Sequence, residues 1–201
     1  MIYVHVPFCR SFCTYCGFYS EVAPRCRKSD DALKQERQFE DYLTALDEEI
    51  RARQEDIRMM SASEGADTLY IRGGTPSVLP LHMLERLLAS LGQSGFREFT
   101  LEVNPEDIVE KGPGYAAGLL SLGVNRISMG VQSFDDSILR WMNRRHTASQ
   151  AVKAYRIIED AGVGNISIDL IFGLPQMTGR LWEETVRKAL AISSSEISRS
   201  S

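Results

Sequence analysis

The sequence predicts an α/β protein in which about five parallel strands curl into a partial (β/α) barrel. Short apolar runs alternate with longer amphipathic runs, the pattern of a parallel sheet with right-handed crossovers. Gly123 and Gly162 stand where helices should stop before the next strand. Each strand has one apolar and one polar face, which suits strands that line a polar hollow.

Five segments of alternating apolar and polar residues are the predicted strands. They are Ile2–Val6, Thr68–Ile71, Phe99–Val103, Val124–Val131 and Asn165–Phe172. Parallel strands covered on both faces are apolar nearly throughout, so the alternation predicts helices on one face only. A flat sheet with its polar face in water is the alternative, but crossovers of constant hand would curl that sheet as well.

Helical periodicity predicts the connections between these strands. Between the first two strands, apolar residues recur in steps of three, four and seven that keep one face apolar, at Phe39, Leu43, Leu46, Ile50 and Ile57. Further helices are predicted at His82–Leu91, Tyr115–Ser121, Gln150–Ala161 and Leu181–Ile192.

Composition excludes some classes of protein. The 201 residues carry a net charge of -4 of mixed sign, so we expect no nucleic-acid partner. No apolar run reaches the roughly 20 residues of a membrane span. The start, MIYVHVPF, has no basic region and no small-residue cleavage site, and it is interpreted as the first strand of a mature cytoplasmic protein.

Three of the four cysteines fall within eight residues, at Cys9, Cys13 and Cys16. Disulfides are disfavoured because a mid-sized chain without an export signal is expected in a reducing compartment. A zinc site with four thiolates requires Cys26, ten residues further on. The other candidate is an iron–sulfur cluster on three thiolates, which leaves one iron open to a small molecule.

The C-x3-C-x2-C spacing, with Tyr15 before the third cysteine, resembles the radical S-adenosylmethionine (SAM) signature. The flank YVHVPFC is similar to that of the oxygen-independent coproporphyrinogen III oxidase-like branch. Further matching motifs are GGTPS (Gly73–Ser77), LEVNP (Leu101–Pro105), NRISMGVQSF (Asn125–Phe134), NRRHT (Asn143–Thr147) and IDLIFGLPQMT (Ile168–Thr178). The resemblance runs from Ile2 to about Leu190 and implies a partial barrel of the radical SAM type.

The resemblance also implies two cofactors, a [4Fe-4S] cluster and SAM. Cys9, Cys13 and Cys16 would hold the cluster, and its open iron would chelate the amino and carboxylate groups of SAM. One electron from the reduced cluster would cleave the sulfonium bond, giving methionine and a 5′-deoxyadenosyl radical. The residues that match cofactor-binding positions are Tyr3, Tyr15, Gly73, Gly74, Thr75, Glu102, Gln132, Arg144 and Asp169.

Several of these positions suit ligand binding on physical grounds. Glu102 and Asp169 lie on the polar face at or near strand carboxyl ends, where parallel α/β folds bind ligands, although both could be structural polar groups. Gly73 and Gly74 follow a strand, where glycines let a ligand approach backbone, although a plain turn has the same sequence. Arg144 is suited to pairing with a carboxylate bidentately.

Phe18 distinguishes two branches within the resemblance. Members that decarboxylate coproporphyrinogen carry a further cysteine two places after the third, where this chain has Phe18. The aromatic residue matches the heme chaperone (HemW-like) group, so a heme chaperone is the predicted function. Its partners would be SAM, heme, an electron-donor protein and a heme-acceptor protein. The alternative is a coproporphyrinogen III oxidase or dehydrogenase, an oxidoreductase of porphyrin biosynthesis that would bind a porphyrinogen.

The carboxyl-terminal end departs from the family pattern. LWEETVRKALAI keeps the pattern and SSSEISRSS abandons it. We expect residues 1–192 to form a radical SAM core without its sixth strand, and residues 193–201 to be a disordered polar tail. A truncated cluster-binding fragment without complete function is therefore the second alternative.

Overall fold

Five parallel strands form one sheet in which the order of strands follows the chain. The computed structural model describes residues 1–23, 29–62, 67–92 and 94–193. The strands of this sheet are β1 (Ile2–Val6), β4 (Thr68–Gly73), β5 (Glu98–Val103), β6 (Arg126–Gln132) and β7 (Ile166–Leu170). The predicted α/β class with five parallel strands is confirmed, and strand boundaries differ from the prediction by only a few residues.

Helices connect the strands and cover one face of the sheet. They are α1 (Ser29–Ala52), α2 (Gln54–Ala62), α3 (Leu81–Leu91), α4 (Pro105–Ser121), α5 (Asp136–Trp141), α6 (Ala148–Asp160) and α7 (Gly179–Ser193), with one 3-10 turn at Pro76–Val78. The strand residues facing the helices are buried and apolar, and they include Leu69, Ile71, Leu101, Val103, Ile127 and Met129. This face is the core, as the alternation of the strands predicted.

Helix α4 is longer than its periodicity predicted. The prediction began at Tyr115, whereas the helix begins at Pro105. Gly112, with φ 72° and ψ -170°, and Pro113 interrupt the helical backbone between the two points. Glycine and proline disrupt a periodic pattern, which explains why the first half was missed.

Two short elements that follow the carboxyl ends of strands were not predicted. Strand β2 (Phe8–Cys9) pairs in parallel with β3 (Glu21–Val22). Helix α5 is capped by the Asp135 carboxylate, which accepts hydrogen bonds from the backbone N–H groups of Ser137 and Ile138. Elements of two and six residues are too short to show a periodicity.

The two edges of the sheet are β1 and β7, and the described segments contain no further strand paired with either. All five residues of β7 are only partly buried. Cys26 and residues 194–201 lie outside the described residues, whereas Ser193 is the last residue of α7. Among the described helices, none combines the length and hydropathy required to cross a bilayer.

Candidate functional site

The clustered cysteines lie on a loop whose two ends are tied together. Cys9 is the last residue of β2, and β3 follows the loop and pairs with β2. Glu21 N donates to the Pro7 carbonyl at 2.6 Å and strengthens this closure. All three thiols are free; Cys9 and Cys13 are partly buried and Cys16 is exposed. The loop, residues 9–20, is called the cysteine loop below.

Residues 142–144, which follow α5, hold the middle of the cysteine loop. Thr14 N donates to the Met142 carbonyl at 3.3 Å. The Asn143 side chain donates from Nδ2 to the Phe12 carbonyl at 2.6 Å, and Asn143 has a left-handed φ of 57°. These two segments lie 131 positions apart in sequence. Asn143, the first residue of the NRRHT motif, therefore supports the structure of the cysteine loop.

The GGTPS turn packs directly on the strand that carries the first cysteine. A Cβ atom on Gly74 would lie 2.6 Å from the Phe8 carbonyl oxygen, and Gly73 has a left-handed φ of 128°. Thr75 N donates to the same Phe8 oxygen at 2.6 Å. Thr75 Oγ1 then lies 3.6 Å from Cys9 Sγ. Glycine is required here by the close approach of the chain's own backbone.

Arg144 connects the cysteine loop to the carboxyl ends of β5 and β6. Its Nη2 donates to Asn104 Oδ1 at 2.6 Å and to the Gly130 carbonyl at 2.7 Å. Its Nη1 lies 3.6 Å from Cys13 Sγ. Its buried Nε has no hydrogen-bond partner among the described residues. A Cβ on Gly130 would lie 3.2 Å from Asn104 Oδ1, so the glycine permits this approach.

Glu102 and Asp169 lie on the polar face of the sheet, as predicted. Glu102 Oε2 is 3.4 Å from Arg72 Nε, and this buried oxygen has no hydrogen-bond partner in the described part of the chain. Burial raises the pKa of Glu102; the positive charge of Arg72 opposes this rise and the nearby charge of Asp169 adds to it. Asp169 accepts a hydrogen bond from Ser128 Oγ at 3.0 Å.

The three remaining predicted residues have different surroundings. Gln132 ends β6 with a left-handed φ of 68°, where the pairing with β7 shifts register. Tyr15 packs against Met142, and burial raises its pKa. Tyr3 is half-exposed and lies beside His5, with 3.2 Å between the Tyr3 hydroxyl and His5 Nδ1.

Asn104 is a site residue that the sequence analysis did not assign. Its Nδ2 donates to Thr75 Oγ1 at 2.9 Å, and its Oδ1 accepts from Arg144. The side-chain amide of Asn104 therefore links Thr75, which lies beside Cys9, to Arg144, which lies beside Cys13. Its place in the LEVNP motif, directly after β5 and two residues after Glu102, was the signal that could have identified it.

A buried ion pair beside the first cysteine was also not predicted. Arg10 Nε donates to Asp107 Oδ1 at 2.9 Å, and Ser77 Oγ donates to Asp107 Oδ2 at 2.8 Å. Asp107 is fully buried in the first turn of α4, where the helix dipole favours a negative charge. The pair ties the residue next to Cys9 to both α4 and the GGTPS turn.

The donor atoms present fit a sulfur-ligated cluster beside a polar ligand. In the described ranges, no three His, Cys, Asp or Glu side chains are gathered as a metal site. However, three thiols on one tethered loop are the ligands that iron–sulfur clusters take, and a hydroxyl and a guanidinium stand beside two of them. The partnerless Arg144 Nε and Glu102 Oε2 are suited to a carboxylate and a hydroxyl, respectively.

A parallel α/β sheet with a loop of three cysteines at the carboxyl ends of its strands is an arrangement that defines a class of protein. Residues 3–189 match the radical SAM superfamily, and the chain belongs to that family. Membership implies a [4Fe-4S] cluster and SAM as cofactors. The family's fold is the partial barrel that the sequence predicted.

Two kinds of curated relative are similar to this chain. It is 34% identical over 194 residues to the heme chaperone HemW of Lactococcus lactis, covering 94% of this chain and 45% of that protein. It is 31% identical over 203 residues to the oxygen-independent coproporphyrinogen III oxidase of Bradyrhizobium diazoefficiens, covering 95% and 40%, respectively. The chain thus spans less than half the length of these relatives.

A solved structure agrees with this placement. The coproporphyrinogen III oxidase HemN from Escherichia coli, a radical SAM enzyme, superposes with a TM-score of 0.77 at 29% sequence identity. The match covers 94% of this chain and 41% of the HemN chain.

Proposed function

We propose that this chain is the SAM- and cluster-binding part of a heme chaperone similar to HemW. The observation that carries the proposal is Phe18, which stands where the decarboxylating members of the resembling family carry a further cysteine. HemW proteins of three further bacteria, at 32% identity, support the same branch. The proposal includes heme transfer, an electron-donor protein, a heme-acceptor protein and a cytoplasmic location.

Within this proposal, Cys9, Cys13 and Cys16 hold the cluster. When bound, the cluster supplies the electron for reductive cleavage of SAM. Glu102 accepts hydrogen bonds from the ribose hydroxyls, and Arg144 donates from Nε to the carboxylate. Tyr3, Tyr15, Gln132, Asp169 and the turn Gly73–Thr75 complete the proposed SAM surroundings. Residues 1–192 act as one radical SAM core.

Cluster binding is tested by iron and sulfide analysis of anaerobically reconstituted protein and by electron paramagnetic resonance (EPR) with and without SAM. We expect Cys13→Ala to abolish iron retention and Cys26→Ala to leave it unchanged. Zinc as the only retained metal would contradict the proposal. Equal loss of iron in both variants would contradict the choice of ligands.

Heme binding is tested by titration of the cluster-loaded chain with ferric heme, followed by absorbance. A saturable change near one heme per chain is expected. No change at stoichiometric heme would leave the alternative of a fragment without complete function. The chain spans 45% of the Lactococcus HemW.

Coproporphyrinogen III oxidase activity is the other candidate, favoured by the TM-score of 0.77 with HemN. Incubation with coproporphyrinogen III, SAM and a reductant under anaerobic conditions tests it. We expect no decarboxylated product, and product formation would reverse the choice of branch.

A further inference from the structure

We propose that Arg72 and the aromatic rings around it bind a planar ligand that bears carboxylates, a tetrapyrrole with propionate groups. The rings form an aromatic wall, defined here as Tyr3, His5, Phe18, Tyr19 and Tyr70. This inference rests on the proposed heme chaperone function and names the part of the barrel that contacts heme.

Two strands and the cysteine loop bring the aromatic wall together. The register of β1 and β4 places Tyr3 beside Tyr70 and His5 beside Arg72. These residues alternate with the buried apolar residues of both strands, so they lie on the polar face of the sheet. Phe18 comes from the cysteine loop, and Arg72 Cζ lies 5.3 Å from the centroid of its ring.

Arg72 has hydrogen-bond donors that are not used. Its side chain is 39% exposed and makes one ion pair, from Nε to Glu102 at 3.4 Å. No hydrogen bond from its guanidinium is found in the part of the chain that the structure describes. The ring of Tyr70, 6.0 Å from Arg72 Cζ, also contacts this cation. A guanidinium held by rings with its Nη groups unpaired is suited to bidentate binding of a carboxylate.

Three of these rings are exposed near one another, and exposed apolar patches often mark binding surfaces. Phe18 is 61% exposed, Tyr19 70% and Tyr3 50%. Tyr3 packs edge-on to Tyr70 with 6.4 Å between centroids, and His5 lies 6.4 Å from Tyr19. Rings at such distances can contact one extended aromatic surface.

One end of the wall adjoins a groove, although Arg72 and Phe18 are not among the residues that line it. An open groove of about 900 Å³ follows the β1 edge, and Tyr3 and His5 line it together with α1 and α2. This volume lies within the range of ordinary ligand pockets. A cysteine at position 18 would have no aromatic ring, whereas Phe18 adds one to the wall.

The role of Arg72 is tested by titrating the cluster-loaded chain with ferric heme and with heme dimethyl ester, in which both carboxylates are blocked. We expect Arg72→Gln to weaken heme binding about tenfold or more, the effect of losing a charge-assisted hydrogen bond. Arg97→Gln is the matched control, because Arg97 is 80% exposed and outside the wall. Wild-type protein should bind heme more tightly than the ester, and Arg72→Gln should bind the two alike.

The stacking surface is tested separately. Phe18→Leu should weaken binding of heme and of the ester equally, by roughly threefold to tenfold. Phe18→Tyr should restore wild-type affinity. Phe172→Leu is the control, since Phe172 is exposed but packs on Trp182 outside the wall.

The outcomes separate the wall from the proposed function. Absence of heme binding to wild-type protein overturns both. Heme binding that is unchanged in Arg72→Gln and Phe18→Leu overturns the wall alone. Equal affinity of wild-type protein for heme and its ester overturns the role of Arg72, and this measurement needs no variant. Circular dichroism and iron content establish that each variant is folded.

Discussion

At the scale of residues, Arg144 combines a position beside Cys13 with anchors on Asn104 and Gly130. Hydrogen bonds to cluster sulfurs and nearby positive charge raise the reduction potential of an iron–sulfur cluster. We therefore expect Arg144→Gln to make the cluster potential more negative, measured by EPR-monitored redox titration. Arg145→Gln removes the same charge from an exposed neighbour and should change the potential little. Equal shifts in both variants would contradict the role of the contact.

Glu102 is a buried carboxylate whose proposed role in SAM binding comes at a cost in stability. Burial raises its folded-state pKa above the usual 4.5, and the charges facing it are Arg72, Asp169 and Arg144. The folded chain therefore binds the Glu102 proton more tightly than the unfolded chain does. The contribution of Glu102 to stability consequently falls as pH rises from its unfolded-state pKa through its folded-state pKa.

Glu102→Gln should thus melt at an equal or higher temperature than wild type at neutral pH. The difference should shrink as pH falls below the unfolded-state pKa and should vanish near about pH 3, where the carboxyl is protonated in both states. SAM binding, measured by calorimetry, should weaken in the same variant. A lower melting temperature at neutral pH would show that the ion pair with Arg72 outweighs the cost of burial.

The residues of the site differ in how far sequence could predict them. Spacing made Cys9, Cys13 and Cys16 candidate metal ligands, and only the resemblance to the radical SAM signature favoured a cluster over zinc; Glu102 was a candidate because it lies on the polar side of a strand end. The assignment of the cysteines to a cluster and of Glu102 to SAM remains a prediction. Arg10, by contrast, acts through Asp107, which is 97 positions away, and no local pattern links two such residues before the chain is folded.

At the scale of elements, the periodic segments were predictable and the turns between them were not. The long helix after β1 is divided by Arg53 into α1 and α2, although its apolar stripe continues through Ile57. The β2–β3 pair exists because the cysteine loop closes on itself, which is a tertiary effect. Propensity within two residues carries no such information.

The turn after β4 should tolerate no side chain at Gly74. A Cβ there would lie 2.6 Å from the Phe8 carbonyl oxygen, so Gly74→Ala must displace Thr75 from Cys9. We expect loss of most retained iron and a lower melting temperature. Gly114→Ala is the control, because nothing lies within 4 Å of its added Cβ. Replacing this helical glycine with alanine should stabilise the folded chain by about 0.5–1 kcal/mol. Full iron retention in Gly74→Ala would contradict this packing.

At the scale of the whole molecule, the fold class was predictable because strand alternation recurs from β1 to β7. How tightly each part is packed was not predictable, since apolar patterning does not reveal whether a partner covers a face. Helix α3 buries Met83, Leu84, Leu87 and Leu91, whereas in α7 only Thr185 and Ile192 are buried among the described residues. The side of the sheet formed by β7 and α7 is therefore the less cohesive one.

This difference predicts unequal local stability across the sheet. Amides in segments with few buried contacts open at lower free energy than those in a packed core. Hydrogen–deuterium exchange with mass spectrometry should show the α7 amides exchanging well before those of α3, and β7 before β5. Helix α3 is the internal control, because it is amphipathic like α7 but lies on the buried core beside α1. Protection of α7 equal to that of α3 would contradict the prediction, because it would require α7 to be as firmly held as the core helices despite the 64% exposure of Leu190.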